Sequence, residues 1–230
     1  MKTLAIILAR GGSKRIPRKN IKIFFGKPII AWPIEIAIRS RIFNEIMVST
    51  DDQEIVNISK KYGAEIPFIR SEKNADDMAG TEDVISEVLN EYKKLDKQFD
   101  IVCCIYPATP LVSVEKLIES RNKLLNGKYD SVIPVVRYAH PVQRALRNNN
   151  NKIQMVWPEN ADLRTQDLEP YFHDAGQYYW LSVKQFEMNK KLFSSNSGFI
   201  ELSEMEAQDI DNMEDWKLAE LKFQKALELG

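Results

Sequence analysis

Cysteine, histidine and glycine are scarce in this chain, and neither sign of charge dominates. Of its 230 residues two are cysteine, two histidine and nine glycine, and 32 Lys+Arg are set against 33 Asp+Glu. The cysteines are neighbours, Cys103 and Cys104, inside the apolar run 101–105. Adjacent strand residues point to opposite faces, so the pair reads as two small buried hydrophobes and not as a bridge. With no cystine framework, nothing points to secretion. No His/Cys spacing suits a zinc site. A net charge of −1 disfavours bulk binding of nucleic acid, which needs many uncompensated cations. Any recognition of negative charge must be local. Neither GxxxxGK(S/T) nor GxGxxG occurs, which disfavours the folds those loops define. The apolar run 4–9 is too short for a signal or a membrane span and is followed by Arg10, Lys14 and Arg15. The expected compartment is the cytoplasm, with no membrane and no nucleic-acid partner.

What is present is ordinary globular material, 44% hydrophobic and 28% charged, enough for a core without staples. Continuous apolar runs alternate with helical spacing. Residues 4–8, 45–49, 65–69, 100–106, 131–136 and 177–182 read as strands. Helices are predicted at 28–39, around Ile55, Ile58 and Tyr62, at 84–92, from a Ser113 cap to Gly127, and at 214–229. Pro33 belongs in a first turn or at a kink. This alternation predicts an α/β fold, a mainly parallel twisted sheet flanked by helices, in one domain spanning residues 1–230. From Arg137 to Asp174 the periodicity breaks, around an asparagine run at 148–151 that reads as a hairpin tip. So long an irregular stretch is best read as an extended arm that pairs with a second subunit, or as a lid.

In such sheets ligands bind beyond the carboxyl ends of the strands. There, after the first strand, stands Leu8-Ala9-Arg10-Gly11-Gly12-Ser13-Lys14-Arg15-Ile16-Pro17-Arg18-Lys19-Asn20. Residues 10–19 carry five cations and no acid, and the two glycines let backbone N–H groups approach a ligand. A near-neutral protein that gathers one sign of charge at a strand end is built to hold a polyphosphate. The second feature is Asp209-Ile210-Asp211. If this segment is extended, both carboxylates share a face and can reach one hard cation. Asp51 and Asp52 read as helix capping.

Together these motifs resemble the CMP-sialic acid synthetase (acylneuraminate cytidylyltransferase) family. The resemblance rests on residues 8–20, on Val48-Ser49-Thr50-Asp51, on the turn Tyr106-Pro107-Ala108-Thr109-Pro110 and on Asp209-Ile210-Asp211, in the family's order over essentially the whole chain. Residues 103–106, 141–146, 158–160, 166–168 and 173–177 are most similar to the branch that activates pseudaminic acid. The family implies a Rossmann-like nucleotidyltransferase fold with a dimerisation arm at 137–174. It implies the reaction of CTP with an acidic nine-carbon sugar, giving the CMP-sugar and pyrophosphate, assisted by Mg²⁺, in a homodimer. Arg10, Ser13, Lys14 and Lys19 would hold the triphosphate along the turn made by Gly11 and Gly12, with Asn20 closing the motif. Lys19, Arg10 and Asp211 carry the catalytic roles. Leu8, Ala9, Arg70, Ala79, Thr81 and Tyr106 would surround the nucleoside. Asp209 and Asp211 would bind the metal, and Gln143, Arg164, His173 and Tyr179 fall at the family's sugar site.

One departure bears on the sugar. Sialate enzymes often have Gln where this chain has Tyr106, and a basic residue where it has Gln143 or His173. That favours a sugar other than N-acetylneuraminate; the resemblance implies pseudaminic acid, with CMP-sialic, legionaminic or Kdo synthesis as the alternative. A sugar-1-phosphate nucleotidyltransferase and a non-catalytic nucleotide sensor are the other readings. The full triphosphate-and-metal set argues against the sensor.

Overall fold

The computed structural model describes residues 1–76 and 79–229. The chain opens with β1 (Thr3–Leu8), buried over almost its whole length. After the basic loop come a two-residue ribbon, β2 (Ile23–Phe24) and β3 (Lys27–Pro28), and then α1 (Ala31–Ser40). Pro33 is the third residue of α1, where its missing N–H costs no helical bond. Next are β4 (Glu45–Ser49), α2 (Gln53–Lys61), α3 (Thr81–Lys94), β5 (Ile101–Ile105), α4 (Val114–Gly127) and β6 (Ser131–Arg137). The predicted strand at 65–69 does not form. Glu65 alone bridges Met47, and Pro67 has no N–H to continue a ladder. The arm segment contains a hairpin, β7 (Leu146–Asn149) with β8 (Lys152–Met155). Its tip residues Asn150 and Asn151 have φ of 51° and 62°, the left-handed pair that a two-residue hairpin turn requires. β9 (Phe172–Asp174), β10 (Tyr178–Ser182), α5 (Val183–Asn189), β11 (Ser197–Leu202) and α6 (Met213–Leu229) complete the chain.

The main sheet has the order β11-β6-β10-β5-β1-β4, with β9 also paired to β6. β1 runs parallel to β4 and β5, and β6 parallel to β11, whereas β10 is antiparallel to β5 and β6. Alternation along β1 divides the core into two layers. Ala5 and Ile7 pack with residues of α1, α2 and α4, and Leu4 and Ile6 with residues of α3 and α5. Cys103 and Cys104 fall in opposite layers, both buried and unbridged. A third cluster lies beneath α6, where Ile16, Phe24, Ile210, Trp216 and Phe223 meet. It ties the basic loop, the β2–β3 ribbon and the acidic pair to one helix. Among the described residues no helix is long and apolar enough to cross a membrane.

Candidate active site

The carboxyl ends of β1 and β5 open on a cleft of about 570 Å³, a size suited to a ligand of nucleotide dimensions. β1 launches the basic loop along one wall. Ala9 is buried, with its N–H donating to Ser49 O at 3.0 Å. The loop returns on itself where Asn20 Nδ2 donates to Arg10 O at 2.9 Å. Asn20 lines the cleft, and its Oδ1 is buried without a partner. Such an acceptor costs free energy unless a donor reaches it. Arg10 crosses to the opposite loop through Nη1 to Asp76 O at 3.1 Å.

The loop closes on the acidic pair. Lys19 Nζ donates to Ile210 O at 2.6 Å, across 191 residues of sequence. Arg15 pairs with Asp211 Oδ2 at 2.7 Å. Ile210 turns into the third core cluster, so Asp209 and Asp211 on either side of it both line the cleft. Their segment is held by α6. Asp215 accepts from the N–H groups of Asp211 and Asn212, each at 2.9 Å, while Asn212 Oδ1 caps Glu214 at 2.8 Å and Asp215 at 3.1 Å. The electrostatics follow from crowding. Burial lowers the Lys19 ammonium from its usual pKa, opposed by the charges of Asp211 and Asp209. Burial, and then the like charge of Asp211, raises Asp209.

The other wall is built from Arg70, the start of α3 and the end of β5. Arg70 is 6% exposed. Its Nε donates to Ser49 Oγ at 2.9 Å and its Nη2 to Ser49 O. Burial pulls its pKa down to about 10. Thr81 Oγ1 and Tyr106 OH lie 3.0 Å apart, and burial raises the Tyr106 phenol. Ala79 and Leu8 fill the remaining wall.

Twelve of the residues singled out by sequence therefore face one cleft. They are Leu8, Arg10, Ser13, Lys14, Lys19 and Asn20 from the first strand and its loop, and Arg70, Ala79, Thr81, Tyr106, Asp209 and Asp211 from elsewhere. Ala9, Gly11 and Gly12 do not line it. A Cβ on Gly11 would lie 2.5 Å from Asp52 Oδ2, so that glycine serves close packing against the turn before α2. The four sugar-site candidates also lie outside the cleft. Gln143 donates to Glu169 O at 2.8 Å and Arg164 pairs with Asp167 at 2.7 Å, both within the arm. His173 is exposed on β9, its Nδ1 2.9 Å from Asp174 O. Tyr179 is buried and donates to Asp174 Oδ2 at 2.5 Å, with its ring edge-on to Tyr106 at 5.5 Å.

Arg15, Asn74 and Gly176, to which the sequence alone assigns no role, also line the cleft. Gly176, at φ +63°, sits where the chain passes from β9 to β10 beside Asp209, a proximity no local pattern encodes.

Fold and cleft together define an α/β nucleotidyltransferase. The solved structure of CMP:2-keto-3-deoxy-manno-octonic acid synthetase complexed with CTP shares the fold, with a TM-score of 0.70 at 17% identity over 99% of this chain and 100% of that one. The chain belongs to the cytidylyltransferase family, whose model matches residues 4–228, and it is an enzyme of that class. It is 37% identical over 224 residues, 97% of each chain, to the pseudaminic acid cytidylyltransferase of Campylobacter jejuni. It is 33% identical over 229 residues, 96% of this chain and 95% of the other, to the CMP-N,N'-diacetyllegionaminic acid synthase of Legionella pneumophila.

Proposed function

We propose that this enzyme makes CMP-pseudaminic acid and pyrophosphate from CTP and pseudaminic acid. The observation that carries the cytidylyl-transfer chemistry is the meeting of the basic loop and the acidic pair in one cleft, through Lys19 Nζ on Ile210 O at 2.6 Å. The choice of sugar rests on the likeness to the Campylobacter jejuni enzyme over 97% of each chain. In the reaction the anomeric hydroxyl oxygen bonds to the α-phosphorus in line as the bond to the β-phosphate breaks, pyrophosphate departs, and the hydroxyl proton passes to solvent. Such a transfer asks the protein for position and charge neutralisation more than for covalent chemistry. Arg10, Ser13 and Lys14 hold the β- and γ-phosphates. Lys19 neutralises charge growing on the α-phosphate. Arg70, with Ala79 and Thr81, positions the nucleoside.

The residues present suit Mg²⁺. Among the described residues no group of three or more His, Cys, Asp or Glu is placed to hold a metal by itself, but Asp209 and Asp211 face the same cleft as the loop. Two carboxylates completed by substrate phosphate oxygens are the usual set for this hard cation. Asp209 and Asp211 would hold it, and the charge it supplies would offset that of the phosphates. Gln143, Arg164, His173 and Tyr179 are assigned to the sugar. The first three sit on or beside the arm, which we place against a second copy of the chain in a cytoplasmic homodimer. There it completes the partner's sugar site.

The deciding experiment supplies CTP, Mg²⁺ and a panel of nonulosonic acids and identifies the CMP-linked product by mass. CMP-pseudaminic acid with stoichiometric pyrophosphate is expected. Preference for Kdo, legionaminic acid or N-acetylneuraminate would replace the sugar while keeping the class. No pyrophosphate with any of them would sink the reading.

A further inference from the structure

Five cations stand between residues 10 and 19, but they do not all face one way. Arg10, Lys14, Arg15 and Lys19 line the cleft; Arg18 does not. Its guanidinium turns to the start of α2, where Nη1 and Nη2 both engage Asp52, the second at 3.0 Å, and Nη2 also engages Glu54. Asp52 is itself fixed, because it caps α2 by accepting from Glu54 N at 2.9 Å and Ile55 N at 3.1 Å. The same turn holds the other end of the loop. Gly11 N donates to Asp51 Oδ1 at 3.1 Å, and Gly11 packs against Asp52 too closely to admit a side chain.

Arg18 also adopts φ +55°, a left-handed conformation that is strained for a non-glycine residue. With that backbone its carbonyl accepts from Ile21 N and Lys22 N, both at 3.0 Å. The short helical turn Lys19–Ile21 starts there, and Lys19 points away from Arg18 into the cleft. A bidentate arginine–carboxylate pair resists rotation better than a single contact. Together these contacts make a strut with one end on α2 and the other next to Lys19.

We infer that Arg18 is a positioning residue: its fork on Asp52 and Glu54 fixes the turn that aims Lys19, and it does not touch the triphosphate. The inference rests on the proposed cytidylyl transfer and deepens it. It also divides the basic loop by function, four cations facing the ligand and one facing the scaffold.

The test is a cycle of Arg18→Ala, Asp52→Asn and the double variant. Alanine carries the same left-handed cost as arginine, so Arg18→Ala removes the fork without changing the backbone preference. Asparagine caps a helix about as well as aspartate, so Asp52→Asn removes the charge and keeps α2. Each single variant is expected to lower kcat by about tenfold to a hundredfold, the range set by displacing a reacting group by about an ångström. KM for CTP should change by less than about threefold, because no phosphate contact is lost. The double variant should be no slower than Arg18→Ala alone, since both remove one strut. Amide exchange of residues 10–22 without substrate should rise in both single variants.

A rise in KM with kcat unchanged would make Arg18 a phosphate ligand. Multiplying losses in the double variant would mean that the two residues act apart. Unchanged kcat or unchanged amide exchange would reduce the contact to a surface ion pair. Each of these results overturns the inference. An inactive wild type would instead overturn the proposed reaction, and amide exchange would still decide the strut.

Discussion

Lys19 and Arg18 are adjacent cations that face opposite ways, and their surroundings separate them. Lys19 is half-buried with its ammonium on Ile210 O, near Asp209 and Asp211. Lys19→Ala is expected to lower kcat by about a hundredfold or more while KM for CTP rises only severalfold, because its charge matters most where negative charge develops. Steady-state kinetics decide this, and an effect confined to KM would mean ground-state binding alone. Asp52 gives a prediction in pH. The Arg18 hydrogen bonds hold its carboxyl at about 2, below the ordinary 3.8. A depressed carboxyl contributes stability that is complete above its unfolded value and is lost as pH falls toward its folded one. Thermal midpoints measured from about pH 6 down to about pH 2.5 should therefore fall less steeply for Asp52→Asn than for the wild type, the difference opening below about pH 4. Parallel curves would mean that the pair carries no linked stability.

At the scale of elements, α6 is the buttress of the site. It carries Asp215, which holds the backbone at Asp211, and Trp216 and Phe223, whose rings meet Phe24 edge-on at 5.5 and 5.3 Å. Phe24 comes from the short ribbon after the basic loop, so one aromatic cluster joins both halves of the cleft. Phe24→Ala should cost about 3–5 kcal/mol, as for other large buried aromatics. Urea unfolding checks it, and a loss below about 1 kcal/mol would show that the cluster is not structural. The helices were largely legible in sequence because their apolar spacing and caps are local. Ser113, for instance, accepts from Lys116 N at 3.2 Å as its position implied. The ribbon, β9 and the failure of 65–69 to pair were not, because two- and three-residue strands carry no periodicity and pairing depends on distant partners.

For the molecule as a whole, the accessible surface is 12783 Å², against roughly 10,700 Å² expected of a compact monomer of this mass. The excess is in keeping with the arm, whose hairpin leaves Leu146 at 61% and Ile153 at 68% exposed. These two share a face with Met155 by the hairpin register. An apolar face held out on a projecting hairpin suits a second copy of the chain. Sedimentation is expected to give a dimer. Ile153→Asp should weaken it and reduce turnover while leaving CTP binding intact. A wild-type enzyme fully active as a monomer would refute the shared site.

The alternation of strand and helix, the charge gathered behind β1 and the carboxylate pair around Ile210 were all readable along the chain, because each is a pattern of neighbouring residues. Folding alone decided which cations face the cleft. Arg18 and Lys19 differ by one position in sequence but diverge at a left-handed turn, toward partners 34 and 191 residues away. Side-chain direction at such a turn is set by long-range contacts, and no local period records them.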